Sequence, residues 1–411
     1  MTEEREANDA ARAVALLQKP ATIRARAAQL LARARAGHST CFEVCDASIE
    51  TAARLVARLS RERYPGRIPP HSRWRHFEVA GVDRIRLHLE PRLQAQPADE
   101  RWRALVDLCI VSVLLDAGAG AQWSYREAGG LLHQRSEGLA LASLHGFCTG
   151  IFSHDPEQPL QVSAQGLRAL SLQSLGALFQ CRSNNALPGL EQRLQLLQSL
   201  GMVLEDSPEH FGHLGRPCGL LREQVESGAA VQAEELLELL LKRLGRIWPT
   251  PNCIGNAPLG DCWQHPQVEG EGLSRGWMPF HKLSQWLAYS LLEAVERSGV
   301  AVAEGSALTG LPEYRNGGLM IDTGILVFKD AQAQQRVYTV DDPLVVEWRA
   351  LTVALLEEVA AAVRRELGLD ARALPLACVL EGGTWAAGRW LAARRRGGEA
   401  PLRLQLTGTV F

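Results

Sequence analysis

The sequence predicts a mainly α-helical protein with a small β element. Apolar residues recur at i, i+3, i+4 and i+7 through most of the chain, and proline or a capping side chain precedes several of these stretches. Only three short segments show the alternation typical of strands. With 411 residues, 46% of them hydrophobic, the chain can form two or three domains, or one large enzyme domain with elaborations.

The helices of the N-terminal half follow from their caps and apolar spacing. A proline begins a predicted helix over 20–36 and a glycine ends it, and a second helix is predicted over 46–63. A third follows Asp99 and is apolar on all faces by Val111, so we expect it to be central. A further helix is predicted to begin at Ser136.

The C-terminal half continues the pattern. Further predicted helices follow Pro188, begin at Ala233, and span Lys282 to Arg297, Pro343 to Leu367 and Leu374 to Arg395. The segments 324–328 and 336–340 flank a polar stretch and predict a hairpin, and residues 403–411 predict a C-terminal strand.

These elements suggest an N-terminal helical segment, 1–65, and a single large catalytic domain, 66–411. The stretch 249–279 is rich in proline and glycine. It is expected to be a long ordered loop within the second unit.

Charge and cysteine usage limit the class of protein. The 44 basic and 46 acidic residues leave a net charge of −2, which argues against a protein that binds nucleic acid by neutralising many phosphates. The nine cysteines are scattered and include no CxxC pair, and the N-terminus is too charged for a signal peptide. No apolar run approaches the roughly 18 residues of a membrane span. A reduced, cytoplasmic protein is the prediction.

Metal, P-loop and serine-hydrolase motifs are not found in the sequence. The clusters of histidine and cysteine lack the spacing of a structural zinc site, and neither GxxxxGK[ST] nor GxSxG occurs. We therefore expect neither a metal nor another cofactor.

Residues 68–84, IPPHSRWRHFEVAGVDR, are the first candidate for a site. His71, Arg73 and Trp74 stand behind two prolines. Arginine and histidine around a tryptophan suit an anionic or sugar-phosphate ligand. A surface turn with ordinary salt bridges explains the pattern equally well.

A second candidate is the segment 114–140. Asp116 ends a helix, and glycines then permit close backbone approach before Trp123, Tyr125, Arg126 and Glu137. The alternative is that the acids here cap helices or pair with a nearby arginine.

A third candidate is the predicted helix from Lys282. His281 and Gln285 share one stripe of this helix, and Lys282 shares the next with Trp286. A solvated face rarely contains such aromatic residues, although a helix packed through its aromatics would also show this pattern.

A fourth candidate is the turn LPEYRNGG. Glu313 follows a proline and precedes Tyr314, Arg315, Asn316 and a pair of glycines. Loop carboxylates on such a rigid backbone are plausible catalytic groups, although most are merely solvated.

The last candidate is VLEGGTWAAGRW, residues 379–390. Gly382 and Gly383 are predicted to lie with Thr384 at a helix start, where free N–H groups can hold an anion. A simple threonine cap is the alternative.

Taken together, these blocks resemble the uracil catabolism protein four family. The resemblance runs in order from about residue 68 to 411 through the blocks PPHSRWRHF, DAGAGAQWSYRE, RSEGLA, PFHKLSQWL, GLPEYRNGGL, VEWRALTVALL, LEGGTWAAGR and TGTVF. It implies a place in a route that opens the uracil ring after ribosylation. The implied step is cleavage of ribosylurea, or its phosphate, to urea and a ribose product.

A more distant resemblance bears on mechanism. HKLSQWLAYSL and LPEYRNGGLMIDTGIL are similar to the KRAQILVADL and FADYRxPQxLxxLGIL blocks of queuosine-salvage nucleosidases, which are helical N-glycosidases with a DNA-glycosylase-like core. This similarity places Glu313 at the acid of ADYR and matches Lys282 and Gln285 to KxxQ. Ser290 replaces the aspartate of VAD, so the resemblance supplies no second acid there.

The chemistry of the implied reaction assigns roles to these residues. Breaking an N-glycosidic bond develops positive charge on the sugar, so a carboxylate, Glu313, is expected to stabilise that charge and orient water. Candidate proton donors to urea are Tyr125, His281 and Tyr314. A 5′-phosphate would need a cationic pocket, for which the candidates are Arg73, Lys282, Arg315 and the helix start at 382–384.

The predicted catalytic residues are Glu313, Tyr314 and His281. The predicted substrate-binding residues, including tryptophans expected to wall a pocket, are His71, Arg73, Trp74, Asp116, Trp123, Tyr125, Arg126, Glu137, Lys282, Gln285, Arg315, Asn316, Asp322, Trp348, Arg349, Glu381, Thr384 and Trp385.

The leading interpretation is therefore an N-ribosyl hydrolase of uracil catabolism acting on a small ribosyl substrate. One alternative is a non-catalytic nucleotide- or nucleic-acid-binding regulator on a glycosylase-like fold. Another is an amidohydrolase acting on the ureido bond, which would require a metal site or an activated nucleophile. The sequence leaves the oligomeric state and the phosphorylation state of the substrate open.

Overall fold

A computed structural model describes residues 2–120, 122–248, 250–303 and 308–405. The chain is mainly helical, as predicted. The first helices are α1 (Thr2–Leu17), α2 (Pro20–Arg35), α3 (Ile49–Arg63), α4 (Glu90–Gln94), α5 (Ala98–Leu114), α6 (Arg135–Thr149), α7 (Ala164–Arg168), α8 (Leu172–Leu178) and α9 (Leu190–Glu205). They are followed by α10 (Pro208–Phe211), α11 (Arg222–Glu226), α12 (Ala233–Leu244), α13 (Lys282–Arg297), α14 (Tyr314–Asp322), α15 (Pro343–Leu367), α16 (Leu376–Val379) and α17 (Trp385–Arg396).

The β structure of the described residues consists of short two-stranded pairs. The antiparallel pairs join β1 (Phe42–Val44) to β8 (Leu326–Phe328), β2 (Ser124–Arg126) to β3 (Leu132–Gln134), β4 (Cys253–Ile254) to β5 (Ala257–Pro258), and β6 (Cys262–Gln264) to β7 (Trp277–Pro279). The parallel pair joins β9 (Val337–Tyr338) to β10 (Arg403–Leu404). Two of these pairs lie within the predicted long loop, 249–279.

The predicted hairpin between 324–328 and 336–340 does not form. The first segment pairs with β1, where the rings of Phe42 and Phe328 lie 5.1 Å apart, and the second pairs with β10. The connection between the two segments is longer than the two to five residues, approximately, of a usual hairpin loop. Each strand therefore pairs with a distant part of the chain. Of the predicted C-terminal strand, residues 406–411 lie outside the described residues.

Helix α5 lies at the centre of the molecule, as its all-round apolar pattern predicts. Its side chains are buried from Ala104 to Leu114, and the helix packs against α6, α9 and α13. No helix in the described part of the chain is long and apolar enough to cross a bilayer.

Helix α15 connects the N-terminal helices to the rest of the fold. It has the bounds predicted from the sequence, begins where the Asp342 side chain accepts the Leu344 N–H at 2.9 Å, and ends at Gly368 with a φ of 68°. It packs against α2 and α3.

The segment 376–396 is one helical run rather than a helix that starts at Gly382. A π-helical turn over Leu380–Thr384 joins α16 to α17. A Cβ on Gly382 or Gly383 would come within 2.8 Å of α3 atoms, so the glycines permit close helix packing. The predicted anion site at a helix start is therefore wrong, because the N–H groups there lie within a continuing helix.

Candidate active site

A cleft of about 1520 Å³ opens beside the first turns of α13 and α14. The loop 116–120, the start of α9 and the segment 395–404 form its other walls. Its described lining contains the cations Arg135, Arg193, Lys282, Arg315, Arg395, Arg396 and Arg403 and the acids Asp116, Glu313, Asp322 and Glu399. Seven cations against four acids give an excess of three positive charges, in a chain whose net charge is −2. The cleft therefore suits an anionic ligand.

The carboxylate of Glu313 is fixed at the N-terminus of α14. One oxygen accepts the Arg315 N–H at 2.9 Å and the other accepts the Asn316 N–H at 2.5 Å. The helix dipole favours negative charge at this position. The remaining lone pairs of both oxygens can contact a ligand, since Glu313 lines the cleft.

Gln285 holds the chain that leads to Glu313. Its amide donates to the Thr309 hydroxyl at 2.8 Å, and its carbonyl oxygen accepts the Thr309 N–H at 2.9 Å. Gln285 is fully buried and does not line the cleft. Its role is to position the backbone that carries the carboxylate.

Lys282 lies on the cleft at the start of α13. Its N–H donates to the Asp261 carboxylate at 3.0 Å, and Arg349 binds the same carboxylate through both terminal nitrogens at 2.8 and 2.7 Å. Burial lowers the pKa of the Lys282 ammonium, and the negative charge of Glu313 opposes this shift. Lys282 thus brings a partly desolvated cation into the electrostatic field of Glu313.

His71 and Glu381 form a buried pair at the cleft. Nδ1 of His71 lies 2.7 Å from one Glu381 oxygen, and the other oxygen accepts from Tyr64 at 2.7 Å and Arg63 at 2.9 Å. Burial alone would raise the pKa of Glu381, but hydrogen bonding and the charge of His71, with further contributions from Arg63 and Tyr64, lower it to about 2. No described residue hydrogen-bonds to Nε2 of His71, and His71 lines the cleft.

His76, Asp116 and Arg73 form a second polar cluster. Arg73 binds the Asp116 carboxylate at 2.9 Å and the Ser112 hydroxyl at 2.8 Å. Burial opposes the charge of Asp116, but Arg73, His76 and a hydrogen bond from Ser136 outweigh it and lower the pKa of Asp116. Burial and the Arg73 charge lower the pKa of His76 to about 4. His76 is therefore neutral near pH 7.

These shifts predict that stability falls in acid. A folded-state pKa below the unfolded one means that acid protonates the unfolded chain first, between pH 6.5 and about 4 for His76 and between 4.5 and about 2 for Glu381. Urea denaturation should show that the unfolding free energy of the wild type falls between pH 7 and pH 5. In His76→Gln we expect this fall to be smaller by about 1–2 kcal/mol. Equal slopes for His76→Gln and the wild type would contradict this account.

Arg193 holds the loop that forms one wall of the cleft. Its guanidinium donates to the carbonyls of Leu115 at 3.0 Å, Ala117 at 2.9 Å, Gly118 at 3.3 Å and Pro188 at 2.5 Å. Since the side chain is fully buried, these bonds fix the path of the chain after α5.

Arg193→Met should destabilise the protein strongly. It leaves the buried Leu115 carbonyl without a donor, which costs about 1–3 kcal/mol, and it removes bonds of about 1 kcal/mol each to the three part-buried carbonyls. We expect the unfolding free energy to fall by about 3 kcal/mol or more, measured by urea denaturation. Arg182→Met, at an exposed arginine before the same helix, should change it by less than about 0.5 kcal/mol. Similar losses in both variants would contradict this role of Arg193.

The cleft brings together eight of the predicted site residues. These are His71, Asp116, Lys282, Glu313, Tyr314, Arg315, Asp322 and Trp385. Among them, Asp322 is bound by both terminal nitrogens of Arg396, one at 2.7 Å, so it joins α14 to α17 rather than presenting a free carboxylate.

The other predicted residues lie outside this lining. Glu381 and Arg73 hold residues of the cleft from behind, and Glu137 lines a smaller neighbouring cavity. The ring of His281 lies 3.0 Å, at Nε2, from the Leu17 carbonyl, and Asn316 donates its amide to Leu311. The indole groups of Trp74, Trp123 and Trp348 donate to the carbonyls of Ser290, Phe179 and Gly317 within the core. Tyr125 and Arg126 belong to β2, Arg349 pairs with Asp261, and Thr384 lies in the π-helical turn.

Several residues of the cleft were not among the predicted ones. They include His76, Arg135, Ser136, Arg193, Arg395, Arg396 and Arg403. The RWRH motif already contained His76, which was the signal available for it. Arg193 lies in an ordinary amphipathic helix pattern, which does not indicate that this arginine belongs to a site.

Comparison with known proteins decides the family. A family model described as "Protein of unknown function (DUF1688)" matches residues 16–411. The chain belongs to this family. Among relatives of this DUF1688 protein, Protein urg3 of Schizosaccharomyces pombe is 36% identical over 97% of this chain and 99% of its own length. Uracil catabolism protein 4 of Lachancea kluyveri is 36% identical over 84% of this chain and 85% of its own length, which confirms the resemblance found in the sequence.

Proposed function

We propose that this protein is an N-ribosyl hydrolase of uracil catabolism. Its substrate is ribosylurea or the 5′-phosphate of ribosylurea, and its products are urea and ribose or ribose phosphate. The name of the relative from Lachancea kluyveri supports the pathway. The observation that carries the reaction is the fixed carboxylate of Glu313 on a cationic cleft that is also lined by His71, which Glu381 holds from behind.

The carboxylate stabilises the charge that develops on the sugar. As the bond from C1′ to the ureido nitrogen breaks, its electron pair leaves with nitrogen and C1′ becomes oxocarbenium-like. Two backbone N–H groups hold the Glu313 oxygens, so the carboxylate needs little reorganisation during the reaction. Glu313 orients a water molecule toward C1′ and accepts its proton when the new C–O bond forms.

His71 supplies the proton that urea needs to leave. The Glu381 carboxylate at Nδ1 orients the ring, and the protonated ring donates from Nε2. Transfer of that proton to the departing nitrogen gives neutral urea. Solvent then restores the protonation states of His71 and Glu313.

Tyr314 is a second candidate for this role. It lines the cleft, and its hydroxyl accepts from Arg315 Nε at 3.0 Å, which leaves its own proton for donation. We assign the proton to His71 because the Glu381 carboxylate fixes its buried ring at 2.7 Å, whereas Tyr314 is 36% exposed. His281 and Tyr125, which do not line the described cleft, have no role in the proposed reaction.

The test is incubation of the purified protein with ribosylurea and with its 5′-phosphate, followed by an assay for urea. We expect urea from at least one of the two substrates, and Glu313→Gln should remove it. No urea from either substrate at high protein concentration would contradict the proposal.

A further inference from the structure

A smaller cavity of about 480 Å³ adjoins the cleft. Arg135, Tyr314 and Arg315 line both spaces, so the cavity is a side chamber of the proposed site. Arg389 of α17 completes its cationic wall.

Charge in this side chamber is unbalanced. Arg135, Arg315 and Arg389 line it, and Glu137 is the one acid of its described lining, 3.8 Å from Arg389. Burial lowers the pKa of Arg389, and the positive charges of Arg315 and Arg135 lower it further. Like charges brought together in this way favour binding of an anion.

Of these three arginines, Arg315 gives the strongest evidence that the chamber binds an anion. It is only 8% exposed, and its Nη1 is buried with no acceptor among the described residues. Among the other buried arginines, Arg73 binds Asp116, Arg349 binds Asp261, and Arg193 donates to four backbone carbonyls. Burying a cation without an acceptor costs free energy, so a ligand oxygen that accepts from Arg315 Nη1 would stabilise the site.

The fold holds Arg315 in place. The centre of its guanidinium lies 4.5 Å from the Trp385 ring centroid, and its Nε donates to the Tyr314 hydroxyl at 3.0 Å. A Cβ on Gly388 would come within 2.0 Å of the Arg315 carbonyl oxygen, so glycine there allows α17 to lie close to α14. This close approach brings Arg389 to the same chamber as Arg315.

The cations of the main cleft are less suitable as partners for an anion. Arg396 is already neutralised by its two contacts with Asp322. Lys282 lies in the field of Glu313. Arg395 and Arg403 are exposed, so solvent screens their charges. The side chamber therefore holds the least compensated buried positive charge of the site's described lining.

We propose that this side chamber binds a phosphate monoester, so that the substrate of the cleft is the 5′-phosphorylated ribosyl compound. Guanidinium groups suit this ligand because each can give two parallel hydrogen bonds to phosphate oxygens. The identity of the sugar rests on the proposed function. The phosphate site itself does not, because it can be measured without turnover.

Calorimetric titration of the full-length protein tests the chamber, with ribose 5-phosphate, ribose and inorganic phosphate as probes. We expect ribose 5-phosphate to bind at least about tenfold more tightly than ribose, and inorganic phosphate to compete with it. Arg389→Gln should weaken ribose 5-phosphate by about tenfold or more and leave ribose unchanged. Arg394→Gln, which removes an arginine of the same helix outside both cavities, should have an effect below twofold. Arg135→Gln serves as a second chamber variant if Arg389→Gln does not fold.

Three results would overturn the site: equal affinity for ribose and ribose 5-phosphate, no competition by inorganic phosphate, or equal effects of the chamber variant and Arg394→Gln. If binding depends on Arg389 but neither form of ribosylurea is cleaved, the phosphate site stands and the proposed reaction fails. If the unphosphorylated compound is cleaved as efficiently as its phosphate, the reaction stands and the substrate assignment fails.

Discussion

Glu313→Gln should lower kcat for ribosylurea cleavage by about 10³-fold, because the neutral amide neither stabilises an oxocarbenium-like sugar nor accepts a proton from water. The amide oxygen can still accept one of the two N–H groups now bound by the carboxylate. The fold should therefore lose only about 1 kcal/mol of stability. Urea release and thermal unfolding of the same sample measure the two effects.

Asp342→Asn is the matched control. Asp342 also caps a helix through its carboxylate, accepting the Leu344 N–H at 2.9 Å, but it does not line the cleft. Its replacement should cost similar stability and change kcat by less than twofold. Near-native turnover in Glu313→Gln would remove Glu313 from the mechanism.

His71→Gln should lower kcat by about 10²- to 10⁴-fold, the usual contribution of one positioned acid or base. The loss should depend on the leaving group, because a good leaving group departs without a proton. Hydrolysis of a riboside of 4-nitrophenol should be far less sensitive to His71→Gln but remain sensitive to Glu313→Gln. This pattern separates proton donation from stabilisation of the sugar.

His265→Gln controls for loss of a buried histidine near a glutamate. His265 is 3% exposed and lies 3.9 Å from Glu347, outside both cavities. It should retain near-native kcat. If His71→Gln affects both leaving groups equally, His71 is not the donor, and Tyr314 becomes the candidate.

The fold was predictable where local signals determine it. The bounds of α13 and α15 coincide with those predicted from apolar spacing, and α15 also has clear start and stop signals in Asp342, Pro343 and Gly368. Strand pairing was not predictable in this way. The partner of β8 is β1, almost 300 residues away in sequence, and nothing in either short strand specifies the other.

The candidate site, like the fold, was predictable only in part. Glu313, Lys282 and Arg315 were identified from the sequence, and the structure places them on one cleft. The tryptophans were less informative, because a sequence does not show which way an aromatic side chain faces. Trp385 lines the cleft, whereas Trp348 lies against Gly317 in the core.

The central claim is that the protein breaks the bond between C1′ and the ureido nitrogen. Ribosylurea labelled with ¹³C at its carbonyl carbon tests this claim most directly. We expect NMR to show the label passing entirely into free urea, with no ammonia released and with ribose or ribose phosphate formed in equal amount. Label in carbonate together with ammonia would show cleavage of the ureido bond instead and would contradict the account.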